Sequence, residues 1–176
     1  TMGHALLVAG SAGVGGCAVL GAESCLRSGV GKLTVCTPEC NRLLLQLSVP
    51  EAVLRLLPHG GDDGASWEAE EFARWQAVGI GPGIGLLAVG LLHDVAERSA
   101  GLPMVVDADA LRLLAVHPEW MPMLRGRAVL PPHGAAMPAL ASGIPPAHAP
   151  LHTDSMSLAA ARRLAPGYRW VWVLKG

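Results

Sequence analysis

Short apolar runs, each closed by a glycine turn and followed by a helical stretch, constrain this chain more than any other feature. Residues Ala5–Thr37 (ALLVAGSAGVGGCAVLGAESCLRSGVGKLTVCT) show the pattern most clearly. The run Ala5–Ala9 predicts a buried parallel strand, Gly16–Arg27 a helix and Leu33–Cys36 a second strand. Val19, Leu20 and Leu26 are expected on the apolar stripe of the helix, among small residues that let it lie close on a sheet. In such a strand–helix–strand crossover, the glycine turn Gly10–Gly16 leaves backbone uncovered for a ligand.

The same alternation continues. A short helix is expected over Cys40–Leu47, a strand over Ala52–Leu57 and a surface turn over His59–Ala65. Ser66 reads as the N-cap of a helix through WEAEEFARW, whose acidic residues suit a helix start. Strands follow at Ala77–Ile80, Pro103–Asp107, Ala128–Leu130 and Trp170–Leu174. Helices are expected at Leu86–Ser99, Ala108–Val116 and Ser155–Leu164, the last capped by Thr153 or Asp154. This order predicts an α/β fold with a mostly parallel sheet covered by helices on both faces. With 51% hydrophobic residues in 176, residues 1–176 are expected to form one domain with a sizeable core.

Charge excludes two classes of partner. The formal net charge is −1, the only lysines are Lys32 and Lys175, and no Lys/Arg cluster exceeds a pair. Neither nucleic acid nor a membrane surface is expected as a partner. No apolar run is long enough to span a bilayer. The four cysteines form no CxxC pair. Cys36 and Cys40 stand four apart without a second ligand cluster, so no metal site is expected. Cys17 and Cys25 lie on one helix face as small hydrophobes. Free thiols and the lack of a leader segment point to the cytoplasm.

Several motifs sit at strand ends, each with a plainer reading. Gly13–Ala18 matches a GxGxxG/A dinucleotide fingerprint formally, but Thr37-Pro38 stands where a ribose-binding acid belongs. A tight strand-to-helix turn explains the same glycines. The string GIGPGIG at 79–85 has more glycines than such a turn needs, and Gly83 and Gly85 leave room beside it. Asp107 and Asp109 can orient a ligand hydroxyl, hold water or Mg²⁺, or cap the following helix, and capping is the plainer role. His133, after Pro131-Pro132, is either a solvated loop residue or part of a site at the same rim. The remaining histidines, His4, His59, His93, His117, His148 and His152, read as surface residues. Lys175-Gly176 either presents an ammonium to a phosphate or is a simple edge lysine.

In this order the segments resemble the ADP/ATP-dependent NAD(P)H-hydrate dehydratase family. Gly10–Pro38 is similar to that family's opening, GPGIG to its GPGLG, VVDADAL to its DADAL and VLKG to its nucleotide-side VLKG. The resemblance implies a ribokinase-like three-layer sandwich, incomplete at the C-terminal side. It implies repair of hydrated NAD(P)H, the substrate, with ADP or ATP turning the C6 hydroxyl into a phosphorylated leaving group. By match, Gly16, Cys17, Ala18, Gly83 and His133 would touch the hydrated cofactor, and Lys175 and Gly176 the nucleotide. Two departures stand out. The family's TPHPGE is Pro131-Pro132-His133-Gly134-Ala135-Ala136 here, and its GTGD turn, with the aspartate that serves as base, has no counterpart in these residues. The catalytic aspartate is therefore expected to be absent and this chain inactive as it stands. A ribokinase-like kinase of a small alcohol or vitamin precursor, and a non-catalytic nucleotide-binding module, remain the alternatives. A homo-oligomer is expected.

Overall fold

The computed structural model describes residues 2–58, 67–68, 70–132, 140 and 167–173. The expected strand at 5–9 is β1 (His4–Val8), followed by α1 (Gly16–Arg27), β2 (Lys32–Pro38), α2 (Arg42–Ser48) and β3 (Val53–Leu57). Then come β4 (Ala77–Ile80), α3 (Val89–Arg98), β5 (Met104–Val106), α4 (Ala108–Val116), β6 (Ala128–Leu130) and β7 (Val171–Trp172). All pairings are parallel, in the order β3-β2-β1-β4-β5-β6-β7. Strand order reverses between β1 and β4, and that reversal places the candidate site.

Side chains alternate across the pleat, so β1 feeds two cores. Leu7 joins Ala18, Ala22, Leu33, Val35 and Leu45 under α1 and α2. Leu6 and Val8 face the other way, toward Leu92, Val95, Leu111, Leu114 and the aromatic residues Trp67, Phe72 and Trp75. Gly21 explains the close seat of α1: a Cβ there would stand 3.0 Å from Leu7 Cδ2. Leu20, expected on the buried stripe, is instead 68% exposed, because Ala18 and Ala22 form the face pressed on the sheet.

The link from β3 to β4 departs from expectation. In place of a full helix over 67–75, the described residues form a 3-10 turn at Glu71–Arg74, and Ser66 lies outside them. The side chains hold that shape. Glu71 is drawn to Arg55 on β3 (3.1 Å) and accepts from the Glu68 amide, while the Arg55 guanidinium lies 3.9 Å over Trp67. Trp67, Phe72 and Trp75 pack ring to ring at 5.0–6.1 Å. A second 3-10 segment, Pro118–Leu124, was not legible as an element, since Pro122 interrupts its helical pattern.

Three histidines expected at the surface are half-buried. His93 meets Trp120 edge-on and His117 stacks on it at 4.1 Å. His4 opens β1, with Nε2 2.8 Å from Thr34 Oγ1. His59, His148 and His152 lie outside the described residues. Burial, then the charges of Lys32 and Arg74, hold the His4 imidazole below its ordinary range. The unfolded chain thus takes up this proton at a higher pH than the fold does, and the His4 contribution is present above the unfolded value and lost as pH falls. Wild type is expected to lose stability on acidification from pH 7 toward 5, and His4→Gln to flatten that slope, in urea titrations at each pH.

Candidate functional site at the strand-order reversal

In open parallel sheets a ligand crevice forms beyond the strand ends where strand order reverses. Here the loops leaving β1 and β4 are tied together at that point. The Gly10 amide donates to the Pro82 carbonyl (2.8 Å) and the Gly81 amide to the Val8 carbonyl (3.2 Å). Helix α1 begins in the gap. Its N-cap is Gly15, no side chain caps it, and its first turn holds no acid. The first amides of a helix lack intrahelical partners and carry partial positive charge, so this end suits an anionic group.

The glycines divide into two sets. Added Cβ atoms at Gly13, Gly16 and Gly85 would meet nothing within 4 Å. At Gly83 the position is taken by Cys17 Sγ (2.9 Å) and Val14 Cγ1 (3.0 Å), which corrects the expectation of free room beside that residue. Gly83 serves loop-on-loop packing, and it can reach a ligand only through its backbone. Gly16 is exposed and Cys17 half-buried, whereas Ala18 is fully buried, 3.3 Å from the Cβ position of Gly10.

The loop after β5 completes this part of the rim. Asp107 Oδ1 accepts from the Ala108 amide (2.7 Å), capping α4. Ala108 takes a left-handed φ of 48° at this start. Asp109 Oδ2 accepts from the Gly85 amide (3.0 Å), and Oδ1 lies 3.6 Å from Arg112. The two carboxylates thus act first on the protein's own turns. Among the described residues one group of three potential metal ligands, His93, Asp94 and Glu97, stands along α3. Pro131 and Pro132 are buried beyond β6. His133, Lys175 and Gly176 lie outside the described residues.

Sequence reasoning missed Asn41 and the partner role of Thr37. Thr37 is fully buried and Asn41 only 5% exposed. Asn41 Nδ2 donates to Thr37 Oγ1 (3.0 Å) and to the Ser11 carbonyl (3.3 Å), linking β2 to the first glycine turn. Among the remaining thiols, burial pushes Cys36 up to about 12, so it is chemically quiet. A groove of about 360 Å³ between α2 and β3, lined by Arg42, Gln46, Pro50, Ala52, Leu54 and Leu56, shares no residue with the rim loops.

An all-parallel sheet with linked glycine loops and an uncapped helix start at its reversal defines an α/β protein suited to an anionic small molecule. Known proteins agree with that class. The chain belongs to the Carb_kinase family, NAD(P)H-hydrate dehydratase, whose profile matches residues 5–176. It is 36% identical over 138 residues to the bifunctional NAD(P)H-hydrate repair enzyme Nnr of Synechocystis sp., covering 75% of this chain and 25% of that protein. A ribokinase-like superfamily protein of Enterococcus faecalis shares the fold, with a TM-score of 0.79 at 23% identity over 99% of this chain and 58% of that one. The ADP/ATP-dependent NAD(P)H-hydrate dehydratase of Bacillus subtilis, co-crystallised with ATP/Mg²⁺ and soaked with CoA, gives a TM-score of 0.73 at 28% identity. That match covers all of this chain and 60% of the relative. The chain therefore spans between a quarter and three-fifths of the relatives it matches.

Proposed function

We propose that the protein serves the repair of hydrated NAD(P)H by nucleotide-dependent dehydration, with these residues holding the cofactor and a GxGD aspartate acting as base. The observation that carries this reading is the pair of glycine loops locked together beside the uncapped start of α1. The amides at Gly16 and Cys17 would receive an anionic group of the cofactor, with the backbone at Ala18 and Gly83 forming the adjoining wall. Asp109 would fix the Gly85 turn, and Asp107 the α4 start, so that this wall stays in place. By the family resemblance, His133 would touch the hydrated cofactor, and Lys175 and Gly176 would meet ADP or ATP. The cytoplasm and a homo-oligomeric state belong to the same reading, the latter supported by the exposed Leu43 and Leu47 of α2.

The chemistry explains why a nucleotide is needed. Hydroxide leaves poorly at neutral pH. Once the C6 oxygen carries a phosphoryl group, the C6–O bond breaks with phosphate as leaving group and C5 loses a proton, which restores the dihydropyridine. Catalysis then depends on positioning and on stabilising charge.

The test mixes the purified chain with hydrated NADH and either ADP or ATP, and follows both binding by calorimetry and the return of dihydropyridine absorbance. Binding of hydrated NADH is expected, and Gly16→Val is expected to weaken it about tenfold or more by blocking the α1 amides. No absorbance is expected to return without a GxGD aspartate, a string these 176 residues do not contain. Failure to bind would overturn the substrate assignment, and turnover by these residues alone would overturn the role given to that aspartate.

A further inference from the structure

We infer that Asn41 is a positioning residue: it sets the shape of the Gly10–Gly16 turn and, through it, the affinity of the rim for a reduced nicotinamide cofactor. The second half of this inference rests on the function proposed above. Asn41 ends a 3-10 turn, Glu39–Asn41, that runs directly into α2, and its backbone is helical (φ −91°, ψ −2°). Its side chain makes no forward bond to the amides of α2. The amide reaches back instead, to Thr37 Oγ1 and to the Ser11 carbonyl in the turn.

The turn is moulded around this side chain. A Cβ on Gly10 would lie 3.0 Å from Asn41 Nδ2, and one on Gly15 would lie 2.7 Å from Asn41 Oδ1. Both glycines therefore close onto Asn41 on the protein side, while Gly13 and Gly16 stay open on the other. The Ser11 carbonyl also accepts from the Val14 amide (3.0 Å), the bond that folds the turn on itself. One oxygen is thus shared by the internal bond of the turn and by Asn41. A purely space-filling role would not need this aimed donor.

Asn41→Asp keeps the volume, removes both donated bonds and sets a carboxylate against the Ser11 carbonyl. Two measurements on the purified chain test the inference. Amide hydrogen exchange of Val14 is expected to quicken about tenfold in Asn41→Asp, with the amides of β1 and mid-α1 unchanged. The dissociation constant for NADPH, read by its fluorescence, is expected to rise by a similar factor at a temperature where both proteins are folded. Unchanged exchange at Val14, or a uniform rise throughout the chain, would overturn the positioning role. Faster exchange at Val14 with unaltered NADPH affinity would overturn its link to the ligand. If wild type itself fails to bind NADPH, the functional reading falls and with it that link, while the exchange result still decides whether Asn41 sets the turn.

Discussion

Gly81→Ala is expected to cost at least about 3 kcal/mol of folding stability, enough to threaten accumulation of the protein. The residue has φ +134°, a region closed to side chains, and its Cα is pressed against the turn that follows β5. An added Cβ would overlap the Asp107 carbonyl oxygen and stand 2.9 Å from Ala110 Cβ. Relief would require moving Asp107 and Ala108, and Ala108 is already in a left-handed conformation. The control is Gly126→Ala, which has φ +74° but nothing within 4 Å of the new methyl group. That change carries only the backbone penalty, about 1–2 kcal/mol. Urea denaturation of the two variants separates steric overlap from conformational strain. A loss at Gly81 no larger than at Gly126 would show that the Asp107 turn yields freely.

Arg127→Met is expected to lose roughly 3–5 kcal/mol, a fall of about 10 °C in Tm for a chain of this size. The guanidinium is a staple for the end of α3. Its Nη1 donates to the carbonyls of Ser99 (3.0 Å) and Leu102 (3.1 Å) and to Ser99 Oγ (3.1 Å). Nη2 reaches the Ala96 carbonyl, and Nε the Met123 carbonyl at 3.0 Å. Helix ends leave carbonyls without intrahelical donors, and a cation there also meets the negative end of the helix dipole. Methionine keeps the aliphatic stem but leaves these acceptors in partly buried surroundings with no donor. Arg127→Lys is expected to recover less than half of the loss, since an ammonium cannot fork to carbonyls on both sides. Thermal unfolding checks both. A methionine variant within about 1 kcal/mol of wild type would mean that water replaces the guanidinium.

Much of the fold could be read from local pattern. Gly16–Arg27, Ala77–Ile80, Ala108–Val116 and Ala128–Leu130 emerge with the expected boundaries, because each combines one clear period with glycine or aspartate punctuation. The expected helix start at Leu86 moved to Val89, since a further turn after Gly85 carries Leu86 and Leu87 into solvent. The segment around Trp67–Trp75 was misread for a different reason. Its acidic pattern fits a helix locally, yet Arg55, far away in sequence, captures Glu71. At the site, the glycine strings marked the rim correctly but not what fills it. Whether a missing Cβ makes space for a ligand or for Cys17, Val14 and Asn41 is a tertiary fact. Asn41 fell unremarked inside the expected helix Cys40–Leu47, and only coordinates reveal that its side chain turns back to Thr37 and Ser11.

The strand-order reversal also bears on how the molecule comes together. Residues 4–57 supply β1, α1, β2, α2 and β3, neighbours along the chain whose contacts close through short loops. Docking β4 against β1 is different, since His4 and Gln76, which meet at its start, are 72 residues apart. That longer closure costs more chain entropy than the short loops do. The bonds from Gly10 to Pro82 and from Gly81 to Val8 exist only after it. Competence to hold a ligand therefore requires that long closure as well as the first crossover that carries the glycine string.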